Sequence, residues 1–314
     1  MLSRFFKPLK VRTILFFSLS NIGDVVLTFP VFDALCEAYP QALFSVIVSA
    51  KGKAFFEKNP RVKKVYIFEK QSAVHEKVRW LHDLRREKFD LVVDLRNSLL
   101  PFLTRSHRRT RPVFAGEASG HMRDKHLCRL KTVLKDVPLP QSRHALSFSK
   151  EEELSAGSLL MGLKDFAIVA PGAADGKKRW IPEGFVKVIR YLMKEAGVPV
   201  VVLGDRHDAK AAAPILKEIS GGILNLCGAT SLKELAFIIS KARVAVVNDS
   251  GIMHLASYMN IPTVALFGPT DPERYGPWGK GAHVVQSLSG RMVDIEPIEV
   301  ITALSKAMTH GSRV

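Results

Sequence analysis

Two acidic turns, far apart in the chain, carry residue types suited to work on a bound hydroxyl and a bound anion. The first is Ser20-Asn21-Ile22-Gly23-Asp24, after an apolar run rich in strand formers. Gly23 permits close backbone approach, and a carboxylate at Asp24, on the rim of a helix start, can accept a proton from a hydroxyl. The same charge also stabilises a helix start by about 0.3–1 kcal/mol, so Asp24 taken alone is compatible with either role. The second turn is Asn248-Asp249-Ser250-Gly251, with His254 one helical turn later. Backbone N–H groups at such a helix start favour an anion. A lone helical histidine is more often a packing residue than a ligand. Between the two lies Gly172-Ala173-Ala174-Asp175-Gly176-Lys177-Lys178-Arg179, where cations follow a glycine turn at a strand end. Such a cluster can neutralise a diphosphate leaving group; standing alone it would read as a solvated charge run.

The spaced glycines of a dinucleotide fingerprint are missing after the first strand, and no Walker loop, zinc cluster or hydrolase elbow is visible. No carboxylate pair has metal-ligand spacing. The expectation is therefore an enzyme with no resident cofactor and no required metal.

The elements that must position these residues alternate. In the first half, strands are expected at Val11–Phe17, Leu43–Val48, Val65–Phe68 and Phe89–Leu95. Between them lie a helix from Asp24 to about Tyr39, a short basic helix at Lys51–Asn59, and a helix at Ala73–Lys88 with Val74, Val78, Leu81 and Leu84 on one face. In the second half, Phe166–Ala170, Val198–Leu203, Ile223–Leu226, Val244–Val247, Thr263–Phe267 and His283–Gln286 read as strands, alternating with helices. Val244–Val247 is β-branched, as in strands buried on both faces. This α/β alternation with short turns predicts two Rossmann-like, doubly wound parallel-sheet domains, residues 1–148 and 149–314, facing across a cleft. The closing helix, about 297–308, is expected to pack back on the first domain.

Composition sharpens the division. The chain has 314 residues, 47% of them hydrophobic, and a net charge of +16. Residues 1–150 hold 28 Lys and Arg against 13 Asp and Glu, whereas residues 151–314 hold 18 against 17. A first half at +15 should attract an acidic partner: nucleic acid, an anionic membrane or a phosphorylated substrate. Arg105, Arg108, Arg109 and Arg111 form its densest run. The modest aromatic content, without a recognised motif, argues against nucleic acid. Three scattered cysteines fit a reducing compartment. Ile14–Phe32 is apolar but contains Asn21, Gly23, Asp24 and Pro30, so it reads as strand, turn and helix rather than a membrane span. No signal peptide is read at the N-terminus.

Taken together, Asn21-Ile22-Gly23-Asp24-Val25-Val26-Leu27-Thr28-Phe29-Pro30, Lys178-Arg179-Trp180, Asn248-Asp249-Ser250-Gly251-Ile252-Met253-His254-Leu255-Ala256 and Phe267-Gly268-Pro269-Thr270-Asp271-Pro272 resemble glycosyltransferase family 9, the heptosyltransferases of lipopolysaccharide. The resemblance covers most of the chain in the right order. It implies a GT-B fold and an inverting direct displacement. Asp24 would be the base, with Asn21, Gly23, Arg105, Arg108 and Arg109 on the acceptor. Lys178, Asp249, Ser250, Gly251 and His254 would bind the nucleotide-sugar donor, ADP-heptose as best guess. Gly172 and Asp205 would join them, with Asp208 a second candidate for the ribose. The acceptor would be a phosphorylated inner-core glycolipid at the cytoplasmic face of the inner membrane, reached peripherally through residues 1–10 and 105–135. Ala173 and Ala174 stand where some heptosyltransferases carry hydroxyl residues, so a different nucleotide sugar stays open. So does a non-catalytic binder of anionic lipid or nucleic acid.

Overall fold

A computed structural model describes residues 11–69, 71, 73–112, 120–134, 139–219 and 221–310, with backbone only at 74, 76, 77 and 310. The basic lead-in at 1–10, and residues 113–119 and 135–138 of the basic stretch and linker, lie outside the described residues. The chain divides into Met1–Ser119 with Arg123–Ser147, and Gly120–Met122 with Phe148–Val314.

The first unit runs β1 (Thr13–Phe17), α1 (Ile22–Leu27), α2 (Phe29–Ala38), β2 (Leu43–Val48), α3 (Lys53–Phe56), β3 (Val62–Ile67), α4 (Val74–Arg86), β4 (Lys88–Asp94), α5 (Leu100–Leu103), β5 (Arg105–Arg109) and α6 (Met122–Leu130). Its strands form one parallel sheet in the order β3-β2-β1-β4-β5. Alternation along β1 sends Phe16 to one face and Leu15 and Phe17 to the other, where Leu84, Val92 and Leu100 cover them. Phe16 meets Phe32 edge to face at 5.5 Å, and Phe29 meets Phe55 at 5.2 Å. Each fully buried phenylalanine contributes about 1.5–3 kcal/mol over exposure.

Three expectations for this unit are corrected. The first helix begins at Ile22 and breaks at Thr28. Pro30 has no N–H to offer the carbonyl of Val26, and Thr28 turns the chain, its hydroxyl donating to Val25 O at 2.6 Å and meeting Ser18 Oγ at 2.8 Å. On α4, Val78 is exposed; the inward face is Trp80, Leu81 and Leu84, because Trp80 packs on Phe68 at 5.4 Å. The basic helix at 51–59 shortens to α3, tied down by buried Phe55 and Phe56.

The second unit runs α7 (Lys150–Leu159), β6 (Ala167–Ala170), α8 (Pro182–Lys194), β7 (Val200–Val202), α9 (Ala209–Glu218), β8 (Ile223–Asn225), α10 (Leu232–Lys241), β9 (Val244–Asn248), α11 (Gly251–Tyr258), β10 (Thr263–Phe267), α12 (Pro272–Tyr275), β11 (Ala282–Gln286) and α13 (Pro297–His310). Its parallel sheet has the order β11-β10-β9-β6-β7-β8. Capping boxes, Ser149 with Glu152 and Ser231 with Glu234, start α7 and α10. The closing helix contributes Val300, Leu304 and Ala307 to this unit's core, beside Phe185 and Ile189 of α8.

Candidate active site

Each sheet reverses its strand order beside its first strand. In the first unit β1 lies between β2 and β4; in the second, β6 lies between β7 and β9. Loops leaving the carboxyl ends of strands at such a reversal diverge and leave a crevice for a ligand. The chemically suited residues sit on these loops: Ser20–Asp24 after β1, the 171–180 loop after β6, and Asp249–Gly251 after β9.

In the second unit, buried Asn248 joins the two loops. Its Nδ2 donates to Pro171 O at 2.9 Å, and its Oδ1 accepts from Trp180 N at 3.2 Å. Trp180 is anchored in turn, with Nε1 donating to Ile295 O at 3.1 Å. This sets Lys178 opposite Asp249. Lys178 Nζ donates to Asp249 Oδ2 at 2.7 Å, and Thr270 Oγ1 donates to the same oxygen at 2.7 Å. Asp249 is only 6% exposed, whereas the Lys178 side chain keeps 28% of its surface in solvent. The ammonium therefore remains reachable by an anion.

Ser250 caps α11 in extended conformation, but its hydroxyl makes no cap bond and is buried without a partner among the described residues. Among the described residues the start of α11 therefore has no side-chain cap, and Gly251 is the first helical residue. His254 is buried and stacks on Trp278 at 5.8 Å, while the His121 ring meets the same indole edge-on at 5.6 Å. Burial drives the His254 pKa down to about 4, against the pull of Asp249, so its imidazole is neutral at neutral pH.

Gly172 has a steric role. A Cβ there would lie 2.0 Å from Asp208 Cγ, so the missing side chain admits the Asp208 carboxylate to the loop edge. Of the two ribose candidates, Asp205 is exposed and its Oδ1 accepts from His207 N and Asp208 N within its own turn. Asp208 is the half-buried one. Burial raises its pKa above the ordinary aspartate value.

In the first unit, Asp24 is the third residue of α1 rather than its opener. Asn21 Nδ2 donates to Asp24 Oδ2 at 3.0 Å, so the pair and Gly23 share one turn. The arginines of the acceptor expectation do not join it. Arg105, Arg108 and Arg109 lie on β5, at the sheet edge and separated from β1 by β4. Arg105 pairs with Lys88 at the amino end of β4, about 20 Å from the carboxyl edge at roughly 3.3 Å per residue. Strand alternation turns Arg108 away from its two neighbours, and its guanidinium donates to Val133 O. Arg109 folds back on Ser106 O at 3.2 Å and over the Phe102 ring.

Sequence reasoning passed over Asn248 as a pin, Thr270 as a second donor to Asp249, and Trp278 and His121 around His254. Among the described residues no three His, Cys, Asp or Glu side chains gather as a metal-binding group.

Comparison with known proteins places the chain in a family. The pattern of Glycosyltransferase family 9 (heptosyltransferase) matches residues 117–296. Lipopolysaccharide heptosyltransferase 2 of Salmonella typhimurium is 28% identical, over 93% of this chain and 97% of that protein. The solved Escherichia coli ADP-heptose lipopolysaccharide heptosyltransferase II superposes with a TM-score of 0.79 at 25% identity, over 96% of this chain and 100% of its own. The glycosyl transferase family 9 structure from Veillonella parvula DSM 2008 shares the fold at a TM-score of 0.79 and 23% identity, over 95% of this chain and 97% of its own. The family pattern spans more than half of the chain, and the two doubly wound parallel sheets are of the GT-B class; this chain belongs to glycosyltransferase family 9.

Proposed function

We propose that this chain transfers heptose from ADP-heptose, with inversion, to the anionic inner core of lipopolysaccharide. The observation that carries the reading is the Lys178–Asp249 pair beside the uncapped start of α11. In the step proposed, Asp24 takes the proton of an acceptor hydroxyl as its oxygen bonds to the anomeric carbon. The bond from that carbon to the β-phosphate oxygen breaks, and ADP leaves with the electron pair. Lys178 and the N–H groups of Ser250, Gly251 and the following turn then meet the charge that develops on the diphosphate. Asp249 holds Lys178 in line, neutral His254 supports the α11 start from beneath, and Asp208, with Asp205 at the rim, faces the ribose. This scheme assigns the charge compensation to protein groups and calls on no metal ion. Two of the relatives named above are named heptosyltransferases, and one of these is named for ADP-heptose, which supports the donor assignment.

A panel of ADP, UDP, GDP and TDP tests the donor by thermal unfolding. ADP at 100 times its dissociation constant is expected to add about 2.7 kcal/mol. That raises the midpoint by several degrees, at roughly 2–4 °C per kcal/mol. A shift with UDP or GDP instead would replace the donor, and no shift with any of the four would sink the donor site.

The same reading puts the protein on the cytoplasmic face of the inner membrane as a peripheral enzyme. Among the described residues no helix is long and apolar enough to cross a membrane. Leu99, Phe102 and Leu103 are exposed on the crossover leading into the basic strand β5, with Arg109 over Phe102 at 5.6 Å. Apolar side chains flanked by arginine suit an anionic bilayer surface. Flotation with anionic vesicles at low salt is expected to carry the wild type and to lose the Leu99→Ser/Phe102→Ser variant. Equal flotation of both would remove this surface from the binding face.

A further inference from the structure

With the β5 arginines elsewhere, the turn that carries Asp24 has a cation of another origin. Arg96 follows the carboxyl end of β4, and Asp94 pairs with Phe17 at the end of β1. Arg96 and Ser20 therefore stand on the same sheet edge, at the strand reversal. The guanidinium lies 5.2 Å from the Phe17 ring centre and 5.1 Å from that of Phe68. Its Nη2 donates to Ser20 Oγ at 2.7 Å, and its Nη1 is buried without a partner among the described residues.

Among the described residues no carboxylate forms an ion pair with it, and the nearby charges of Asp94 and Glu69 act on it only at longer range. Asp94 is engaged by Arg96 N, Ser98 N and Ser98 Oγ, and Glu69 by Ala50 N. Arg129, behind the same loop, donates to Leu95 O. A half-buried guanidinium has lost hydration that a counter-ion normally restores. It carries five N–H donors in a fixed fork that matches a carboxylate or phosphate, and among the described residues the bond to Ser20 is the only one its side chain makes. The phenyl rings hold its plane in register. Ser20 leads directly into Asn21, which holds Asp24.

We propose that Arg96 is the acceptor-side anion subsite, taking a carboxylate or phosphate of the acceptor beside the hydroxyl that Asp24 deprotonates. This rests on the transferase reading and adds the residue that selects an acidic acceptor. Lipid-free inner-core oligosaccharide is the probe, used intact, dephosphorylated, or with its carboxyl groups reduced. Calorimetry should show the intact form binding Arg96→Gln roughly 10- to 100-fold more weakly than wild type, the range for a hydrogen bond to a charged group. Wild type should lose the same factor with one of the two treated forms, which names the group read. Arg96→Gln should lose nothing further with that form. Arg96→Lys, keeping the charge without the fork, should fall between. Unchanged melting and ADP binding in both variants report an intact fold.

Wild-type affinity for intact oligosaccharide in Arg96→Gln overturns the subsite. So does an equal loss for charged and neutral forms, or no binding by wild type. Transfer assays run alongside separate the two claims. Charge-dependent binding through Arg96 with no heptose transfer by wild type leaves the subsite standing and removes the transferase reading. Full transfer and unchanged acceptor KM in Arg96→Gln do the reverse.

Discussion

Asp24→Asn is expected to lower kcat for heptose transfer by about 10²–10⁴-fold, the range for removing a positioned general base. The amide is nearly isosteric and can still meet Asn21, whose Nδ2 now reaches the carboxylate at 3.0 Å. It cannot take up the proton of the attacking hydroxyl. The structural effect should be small: loss of a negative charge in the first turn of α1, about 0.3–1 kcal/mol. Steady-state transfer assays with both substrates saturating, beside urea unfolding, separate the two. A variant with full kcat would show that the proton goes elsewhere. A variant that loses activity only in proportion to its folded fraction would assign Asp24 to the helix start alone.

The second large effect is expected at the Lys178–Asp249 pair. Lys178→Met leaves the Asp249 carboxylate, 6% exposed, with Thr270 as its only side-chain donor among the described residues. Breaking a buried pair from one side costs about 3–5 kcal/mol. Here the loss should sit at the lower end, because Lys178 is 28% exposed and water can follow it in. Activity should fall further than stability accounts for, since the ammonium also meets the departing diphosphate. Asp249→Asn should destabilise less, because the lysine left behind can turn to solvent. The double variant should recover most of the stability lost in Lys178→Met while recovering no activity. Urea unfolding of the full cycle and kcat at saturating donor are the measurements. If the double variant is the sum of the singles in stability, the pair is not an energetic unit. If Lys178→Met keeps its kcat, the charge on the leaving group is met elsewhere.

Much of the fold was legible because its signals are local. The β-branched run Val244–Val247 and the apolar runs of β1 and β10 announce strands buried on both faces, and all residues of β9 and β10 are buried. Pro182 and Ser231 mark helix starts where α8 and α10 begin. Errors arose where a local signal met a tertiary demand. Val78 has the helical spacing of a core residue, but a tryptophan two positions on offered more area to Phe68 and took the inward face. Arg105–Arg109 reads only as a basic run, without a strand signal of its own, but β4 had two edges of backbone hydrogen bonding to satisfy, and this segment met one of them. Alternation along the strand places Arg105 and Arg109 on one face and Arg108 on the other, so the run is not a single cluster.

The sequence by itself determined the two α/β halves, the acidic and glycine-bearing turns and the concentration of positive charge in the first half. All three follow from spacing within about ten residues or from simple addition of charges. The tertiary structure alone decided which turns meet. Strand order put the β6 and β9 loops side by side, so Lys178 donates to Asp249, 71 residues away, at the carboxylate oxygen to which Thr270 also donates. It likewise brought Arg96 to Ser20 across 76 residues. No local pattern encodes such a pairing, because it depends on the sheet ladder and on the burial that seats Asn248 and the phenyl rings of Phe17 and Phe68.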